Sequence, residues 1–257
     1  MTSSYIGNIK SIVIIVTLSC LLRIFIACFG YSGYQTPPKY GDFEAQRHWI
    51  EITTNLNISD WYRQTESNDL QYWGLDYPPL TAYHSWIMGQ FAWIVYPDIV
   101  TLYNSRGHET FLGKVFMRST VIISDLILYI PASLLLLRLI RPQYTQSNNT
   151  NKTSMYTNYK SILFTFICIN TPGLLLIDHG HFQYNSISIG LTLLSVYTLI
   201  LGYDIYGSIL FTLALNYKQM TLYYSPVFFV YLLRTCLIHH HHIVVNLKTI
   251  TQHLALW

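Results

Sequence analysis

The residues of this chain that can do acid–base chemistry are concentrated in one region. Nine of its twelve carboxylates lie between Asp42 and Glu109, although only 11% of all residues are charged. The region opens with the string Gly-Asp-Phe-Glu-Ala-Gln-Arg-His-Trp at 41–49, shortly after an apolar segment. A carboxylate can accept the proton of a reacting hydroxyl group. The first acid of the string, Asp42, is therefore a candidate general base.

The apolar segment before this region is long enough to span a bilayer. Residues 11–29 contain one charge, Arg23, and at ~1.5 Å per residue they cover the ~30 Å hydrocarbon core. A cleaved signal peptide is the alternative, with an apolar region of only ~7–15 residues and a small-residue cleavage site. The run here is longer and ends in Cys-Phe-Gly-Tyr at 28–31, which favours an uncleaved anchor.

Further apolar segments predict an all-α polytopic membrane protein with about six membrane helices. A hydrophobic content of 51% and a mean hydropathy of +0.30 are high for a soluble domain. The spans predicted after the first are 119–140 and a group within 161–236, namely 161–177, 186–203, 206–215 and 220–233. Several are shorter than the ~17–25 residues of a simple span, which a packed bundle tolerates. A soluble helical bundle is the alternative, and the number of charge-free runs argues against it.

Lysine and arginine residues near the helix ends predict the topology. The residues that mark the predicted cytosolic side are Lys10, Arg138, Arg141, Lys152, Lys160, Arg234 and Lys248. This side holds the N-terminus 1–10, the loop 141–160 and an atypical tail, 237–257. The large loop 30–118 and the short loops 178–185 and 216–219 then lie on the luminal side.

The remaining patterns predict one modification site and no metal site. Of the sequons at Asn57, Asn148 and Asn151, only the first falls on the predicted luminal side. The four cysteines all lie in apolar segments, which gives neither a disulfide framework nor a Cys-x-x-Cys metal pair. The histidine run 239–242 is interpreted as an accident of composition.

Two amphipathic juxtamembrane helices are predicted within the large luminal loop. A stripe at helical spacing predicts that the first lies along the membrane surface: Ala45, Trp49, Ile52 and Leu56. A second apolar helix, 80–96, follows a pair of prolines, which are ordinary helix initiators. Asp42 and Asp76 each precede one of these helices, so capping or initiating a helix is the structural alternative to chemistry for both.

The motifs of this loop resemble those of a known enzyme family. GDFEAQRHW at 41–49, NDLQYWGLDYPPLTAYHS at 68–85 and YNSRG at 103–107 are similar to the first luminal loop of the dolichyl-phosphate-glucose α-1,3-glucosyltransferases of the endoplasmic reticulum. DHGHFQYN at 178–185 and NYKQM at 216–220 continue the match in order. The resemblance covers most of residues 10–235, and it fits the member that adds the first glucose better than the member that adds the second.

The resemblance implies a GT-C fold and an inverting reaction. Glucose would pass from dolichyl-phosphate-glucose to Man9GlcNAc2-PP-dolichol at the luminal face of the endoplasmic reticulum membrane, with no cofactor and no metal. The implied partners are dolichol-linked lipids, with no nucleic acid and no obligate protein partner. The pattern is lost after about Arg234, whereas family members continue with more membrane helices, so the chain is expected to be truncated at its C-terminus.

The resemblance also implies roles for particular residues, with Asp42 as the catalytic base. Three neighbours would orient this base or bind sugar hydroxyls: Glu44, Arg47 and His48. A second group would form a sugar-stacking wall or simply fix the second loop helix: Trp73, Asp76 and Tyr77. The charge that develops on the leaving dolichyl phosphate must be balanced. The candidates for this, which alternatively satisfy buried carbonyl groups, are His179, His181 and Lys218.

Two other functions remain open from the sequence. A transporter would use the intramembrane Asp125, because intramembrane acids mark such paths. The acids of this chain are concentrated outside the predicted membrane helices, however, and no inverted repeat is visible. The other possibility is a catalytically inactive fragment of the same enzyme that acts at most as an accessory membrane protein.

Overall fold

A computed structural model describes residues 9–140 and 162–237 of the chain. Some predicted features lie outside these residues: the first eight residues, the cytosolic loop 141–160 with Asn148 and Asn151, and the tail with its histidine run. Regular structure in the described residues is helical, apart from an isolated bridge between Thr65 and Asn68. The all-α class is therefore confirmed.

The described helices are numbered along the chain. They are α1 (Ile9–Ala27), α2 (Gly41–Asn55), α3 (Pro79–Val95), α4 (Phe111–Leu139), α5 (Ile162–Ile169), α6 (Pro172–Phe182), α7 (Asn185–Ile200), α8 (Asp204–Tyr217) and α9 (225–237). Residues up to Gln219 form one compact unit, and α9 belongs to a second unit that begins at Met220. The helix predicted at 220–233 appears as a 3-10 helix, Gln219–Tyr224, followed by α9.

Among the described helices, α1 and α4 are each long and apolar enough to cross a membrane. The bounds of α1 lie close to the predicted 11–29. In contrast, α4 begins at Phe111 and not at 119, because Thr110 caps it by accepting a hydrogen bond from the Gly113 amide at 3.1 Å. Its early cations, Lys114 and Arg118, donate to neighbouring backbone carbonyls, so they do not end the helix.

The predicted span 161–177 is interrupted. Helices α5 and α6 meet at a bend of 42°, and they make a third candidate span if they cross together. Pro172 opens α6 and has no amide hydrogen with which to continue the hydrogen-bond ladder of α5. The second part of α6 is a π-helix, Leu176–Phe182. Most of the segment predicted as a luminal loop at 178–185 is therefore helical.

Helices α7 and α8 form a hairpin around the predicted turn at Asp204. With 16 and 14 residues they are shorter than the ~17–25 of a simple span, so their crossing of the membrane stays a prediction. The two helices pack closely because position 207 is glycine. A Cβ atom there would lie 2.5 Å from the Leu199 side chain.

Helices α2 and α3 confirm the two helices predicted in the luminal loop. Two residues of the predicted stripe, Trp49 and Ile52, are buried in a cluster with Trp61, Leu75 and Ala82. A second cluster covers another side of α2 with Phe43, Ile50, Ile99, Val100 and Met117. The segment around residues 99–100 and the start of α4 enclose the other side of α2, so the helix is buried within the protein, and its position along the membrane surface stays a prediction.

The chain turns sharply between α1 and α2, which positions the start of α2. A Cβ atom on Gly33 (φ +80°) would lie 1.9 Å from the Tyr40 carbonyl oxygen, and one on Gly41 (φ +66°) would lie 2.8 Å from the Ser32 backbone. Glycine is needed where two stretches of backbone touch in this way. The Ser32 amide also donates to the His181 carbonyl at 3.0 Å, which brings the end of α6 to the same place.

Candidate active site

Asp42 lies in the first turn of α2, and its carboxylate is held from the end of α6. His181 Nε2 and Gln183 Nε2 lie 3.0 and 2.7 Å from the same oxygen, Oδ2. The Asp42 side chain is 34% exposed, and that of His181 is 49% exposed. The residue before α2, Tyr40, makes no side-chain cap. Asp42 therefore joins distant segments through Oδ2, while no hydrogen bond to its second oxygen, Oδ1, occurs among the described residues.

A buried lysine fixes the orientation of Gln183. Lys218 Nζ donates to Gln183 Oε1 at 3.1 Å and to Asn185 Oδ1 at 2.5 Å. The Gln183 amide thus accepts from Lys218 and donates to Asp42, so three distant parts of the chain meet in one row of hydrogen bonds. Burial lowers the pKa of Lys218, against the opposing effect of nearby carboxylates. Its ammonium group also lies 4.9 Å from the centre of the Tyr77 ring.

Asp76 and Tyr77 lie at the same site. Partial desolvation raises the pKa of Asp76, and the charge of Asp42 acts in the same direction. Burial, together with the charges of Asp76 and Asp42, raises the pKa of the Tyr77 hydroxyl to about 12. Both groups therefore lie within electrostatic reach of Asp42. Their roles, in a sugar-stacking wall or in fixing the second loop helix, stay predictions, and neither residue appears among the hydrogen-bond partners of the Asp42 carboxylate in the described chain.

Trp73 holds the loop together through its polar atoms. Its indole nitrogen donates to the Lys39 carbonyl at 2.6 Å, and its own carbonyl accepts from the Trp49 indole at 3.0 Å. The Lys39 ammonium lies 5.9 Å from the centre of the Trp73 ring. These contacts support the alternative in which Trp73 fixes the loop helix; a stacking role stays a prediction.

Three predicted neighbours of Asp42 belong to a separate buried ion network. The Arg47 guanidinium binds both oxygens of Glu44, at 2.7 and 2.6 Å, and Glu51 at 2.7 Å. His48 Nδ1 lies 3.1 Å from Glu51, and Arg47 reaches Ser105 at 2.6 Å. Burial would raise the pKa of Glu51, but the His48 hydrogen bond and the Arg47 charge lower it to about 2.

The prediction that these side chains orient the candidate base or bind sugar is therefore wrong for this structure. Glu44, Arg47 and His48 are 2% exposed or less, and their described hydrogen bonds go to one another and to neighbouring segments of the loop. The network instead holds the YNSRG motif against α2. The sequence could not show this, because an Arg–Glu pair at helical spacing is compatible with either a solvated or a buried face.

His179 lies in a third group, inside the helix bundle. Its Nε2 lies 2.9 Å from Asp125 Oδ2, and the same oxygen accepts from Arg23 Nε at 2.5 Å. Arg23 also donates to Asn170 Oδ1 at 2.7 Å. The Arg23, Asp125 and His179 side chains are 0–1% exposed. The prediction that His179 faces the lipid phosphate is therefore wrong here, and Asp125 is engaged in an ion pair that joins α1, α4 and α6.

The structure adds two residues that the sequence interpretation passed over within the DHGHFQYN motif. Gln183 holds Asp42, and Asn185 joins Gln183 to Lys218. Asp178 in turn orients Asn185, whose side-chain amide donates to it at 2.8 Å. Gln183 and Asn185 lie in the quoted motif, but only its histidines were predicted to act, because a positive charge was sought to balance the phosphate.

The predictions about metal ions and glycosylation concern other side chains. Among residues 9–140 and 162–237, no three or more histidine, cysteine, aspartate or glutamate side chains are grouped to hold a metal ion. The expectation that no metal or cofactor takes part stays a prediction. Asn57 is exposed, as a glycosylated asparagine must be.

The fold and site together define a helical membrane protein with a carboxylate-centred site next to the ends of its apolar helices. The ALG6, ALG8 glycosyltransferase family matches residues 14–256, and the chain belongs to this family.

Several similar proteins carry the name of the same glucosyltransferase. A probable dolichyl pyrophosphate Man9GlcNAc2 alpha-1,3-glucosyltransferase of Dictyostelium discoideum is 49% identical over 226 residues, which are 88% of this chain and 41% of that protein. The proteins named dolichyl pyrophosphate Man9GlcNAc2 alpha-1,3-glucosyltransferase of Gallus gallus and Saccharomyces cerevisiae are 48% and 44% identical over 87% and 88% of this chain. The matched region spans 39–41% of the length of these relatives.

Proposed function

We propose that this protein is an inverting glucosyltransferase that adds the first glucose, in α-1,3 linkage, from dolichyl-phosphate-glucose to Man9GlcNAc2-PP-dolichol. The observation that carries the proposal is the Asp42 carboxylate, which is held through Oδ2 by His181 and Gln183 and partly open to solvent. The names of the relatives supply the acceptor and the linkage, and the resemblance of the loop motifs supplies the donor.

The geometry suits a single displacement. The acceptor hydroxyl attacks the anomeric carbon while Oδ1 of Asp42 accepts its proton, and dolichyl phosphate leaves from the opposite face. His181 and Gln183 restrain the carboxylate, so less orientation has to be gained when substrate binds. Dolichyl phosphate departs with the electron pair of the broken bond, so the protein must balance charge there, and no proton needs to be supplied.

We also propose that the site lies at the luminal face of the endoplasmic reticulum membrane, where dolichol-linked substrates are held. The topology predicted from the basic residues places the loop 30–118 in the lumen. Asn57 is exposed, so a glycan on it would report this orientation, because glycosylation occurs on luminal loops.

The test uses a chimera, because the chain matches 39% of the yeast relative. Residues 1–235 replace the corresponding part of the Saccharomyces cerevisiae protein in a strain that lacks it, and glucosylated lipid-linked oligosaccharide is measured. We expect Asp42→Asn to lower transfer by about 10²–10⁴-fold, since general-base catalysis contributes on that order. Asp98→Asn changes an exposed carboxylate of the same loop and is the matched control.

Equal transfer by Asp42→Asn and Asp98→Asn, at equal protein levels, would refute the assignment of the base. The chain of 257 residues is assayed in parallel. Its activity relative to that of the chimera shows whether these residues alone transfer glucose. No transfer by this chain alone would favour the inactive-fragment alternative.

A further inference from the structure

Two cations occupy the first turns of α4, next to the end of α1. Lys114 Nζ donates to the Cys28 carbonyl at 2.9 Å. One turn further on, Arg118 Nη2 donates to the Gly30 carbonyl at 3.1 Å and to the Gly180 carbonyl at 2.9 Å. Gly180 directly precedes His181, so Arg118 borders the segment that holds the proposed base.

Arg118 differs from the other two fully buried arginines of the described chain. Arg23 and Arg47, both 0% exposed, are each paired with carboxylates at 2.5–2.7 Å. Arg118 is 4% exposed, yet no carboxylate among the described residues forms a salt bridge with it. Its Nε and Nη1 are buried without a hydrogen-bond partner in the described chain, while the Phe182 ring lies 5.5 Å from its guanidinium carbon.

A buried guanidinium without a counter-charge is costly, and its unengaged N–H groups can donate to the oxygens of a phosphate. Nη1 and Nη2 both lie on the terminal fork, but Nη2 is already engaged by two carbonyls. The donors that remain, Nε and Nη1, therefore suit an anionic group that approaches from outside the described chain.

The position of Arg118 along α4 fits the phosphate of a lipid. Helix α4 has 29 residues, or about 43 Å at ~1.5 Å per residue, so it is longer than the ~30 Å hydrocarbon core. If the core takes the ~20 residues nearest Leu139, its other boundary falls beside Arg118. Exposed apolar side chains flank this level on both helices: Phe25, Phe29, Phe111, Leu112 and Val115. An isoprenyl chain can therefore lie against the protein surface while its phosphate reaches the cations.

We infer that Arg118, with Lys114 at the rim, binds the phosphate of an isoprenyl phosphate lipid. The inference rests on the proposed function, in which that lipid is the leaving group. When the bond between the anomeric carbon and the phosphate oxygen breaks, its electron pair stays on the phosphate, and the phosphodiester monoanion becomes a monoester with a second negative charge. The Arg118 donors bind the monoester more strongly than the diester, which favours the transition state over the bound donor.

The three groups predicted from the sequence for this charge already have other partners, and His179 binds Asp125 inside the bundle. His181 binds Asp42, and Lys218 binds Gln183 and Asn185. Arg118 was not considered from the sequence, because residues 30–118 were assigned to the luminal loop and Arg118 was its last residue.

Direct binding tests the site without requiring glucose transfer. The full chain is placed in phosphatidylcholine nanodiscs, and the binding of radiolabelled dolichyl phosphate is measured for the unaltered chain, Arg118→Gln and Arg118→Lys. We expect Arg118→Gln to bind about 10- to 100-fold more weakly, because charge-assisted hydrogen bonds are lost. Arg118→Lys should be intermediate, since lysine keeps the charge and loses the planar fork. Arg63→Gln, at an exposed arginine of the same loop, should bind like the unaltered chain.

Competition identifies the source of the phosphate. Unlabelled dolichyl phosphate should displace the probe, whereas dolichol, phosphatidic acid and inorganic phosphate at the same concentration should not. Equal displacement by phosphatidic acid would indicate a general site for anionic lipids and overturn the inference. Equal displacement by dolichol would show that the phosphate is not recognised, and equal displacement by inorganic phosphate would show that the isoprenyl chain is not.

Folding must be controlled, because Arg118 also joins Gly30 and Gly180. Thermal unfolding of each variant is compared with that of the unaltered chain, and Lys114→Gln, at a half-buried position, provides a second variant with an expected loss of about 3- to 10-fold. Unchanged dolichyl phosphate binding by a folded Arg118→Gln overturns the inference. If Arg118→Gln does not fold, unchanged binding by both Arg118→Lys and Lys114→Gln overturns it.

The chimera separates this inference from the proposed function. Phosphate-dependent binding through Arg118 in a chimera that transfers no glucose would refute the proposed function alone. Transfer that requires Asp42 but is indifferent to Arg118→Gln would refute the phosphate site alone.

Discussion

Removal of one member of the Arg23–Asp125 pair should strongly destabilise the membrane part of the protein. The two side chains are 0% and 1% exposed and 2.5 Å apart, and they join α1 to α4. Asp125→Leu would leave the Arg23 charge buried without its counter-charge, which costs about 3–5 kcal/mol. Arg23 would keep its hydrogen bonds to Asn170 and to the Ser19 carbonyl, so the lower part of this range is expected.

The double variant Arg23→Met/Asp125→Leu tests whether the loss of stability comes from the unpaired charge of Arg23. Both charges are then removed and apolar side chains fill the space, a change that is often near neutral in other proteins. His179 would still lose its acceptor, at a cost of about 1–3 kcal/mol. The double variant should therefore be more stable than Asp125→Leu alone, although it carries one more substitution.

Thermal unfolding of the full chain in detergent, followed by size-exclusion chromatography, measures the effect. At about 2–4 °C per kcal/mol, a loss of about 3 kcal/mol for Asp125→Leu should lower the unfolding midpoint by roughly 6–12 °C. Arg138→Met, at an exposed arginine of α4, is the matched control and should leave the midpoint nearly unchanged. An Asp125→Leu midpoint equal to that of the control, or a double variant less stable than Asp125→Leu, would refute the argument.

Two further predictions follow from the site and its topology. Lys218→Met should remove one of the two donors that hold Gln183 Oε1, because Asn185 remains as the other, and so loosen the amide that donates to Asp42. The transfer rate of the chimera should fall by about 10-fold, the value of one charge-assisted hydrogen bond. An unchanged rate would show that Lys218 does not orient Gln183. Asn57 should carry an N-linked glycan when the chain is expressed in yeast, so that a glycosidase-sensitive gel shift is lost in Asn57→Gln. A glycosidase-sensitive shift that persists in Asn57→Gln but disappears in Asn148→Gln or Asn151→Gln would contradict the predicted orientation.

Local sequence patterns predicted much of the helical framework. The length and apolarity of residues 11–29 predicted α1, and the stripe at 45–56 predicted α2, because helix formation and amphipathicity depend on residues within a few turns. The start of α4 was missed because Lys114 and Arg118 were interpreted as loop residues, whereas their charges are compensated by carbonyls of distant segments.

The sequence by itself determined which segments are apolar, where the acids are concentrated and that Asp42 stands at the start of a helix. Only the tertiary structure decided which neighbours share its chemistry. His179 and His181 are two residues apart on one helix, so they point to nearly opposite sides, one into the Arg23–Asp125 pair and the other onto Asp42. Gln183 and Lys218 reach the site from outside α2 because three separate segments converge there. Such contacts depend on packing between elements, which no local spacing encodes.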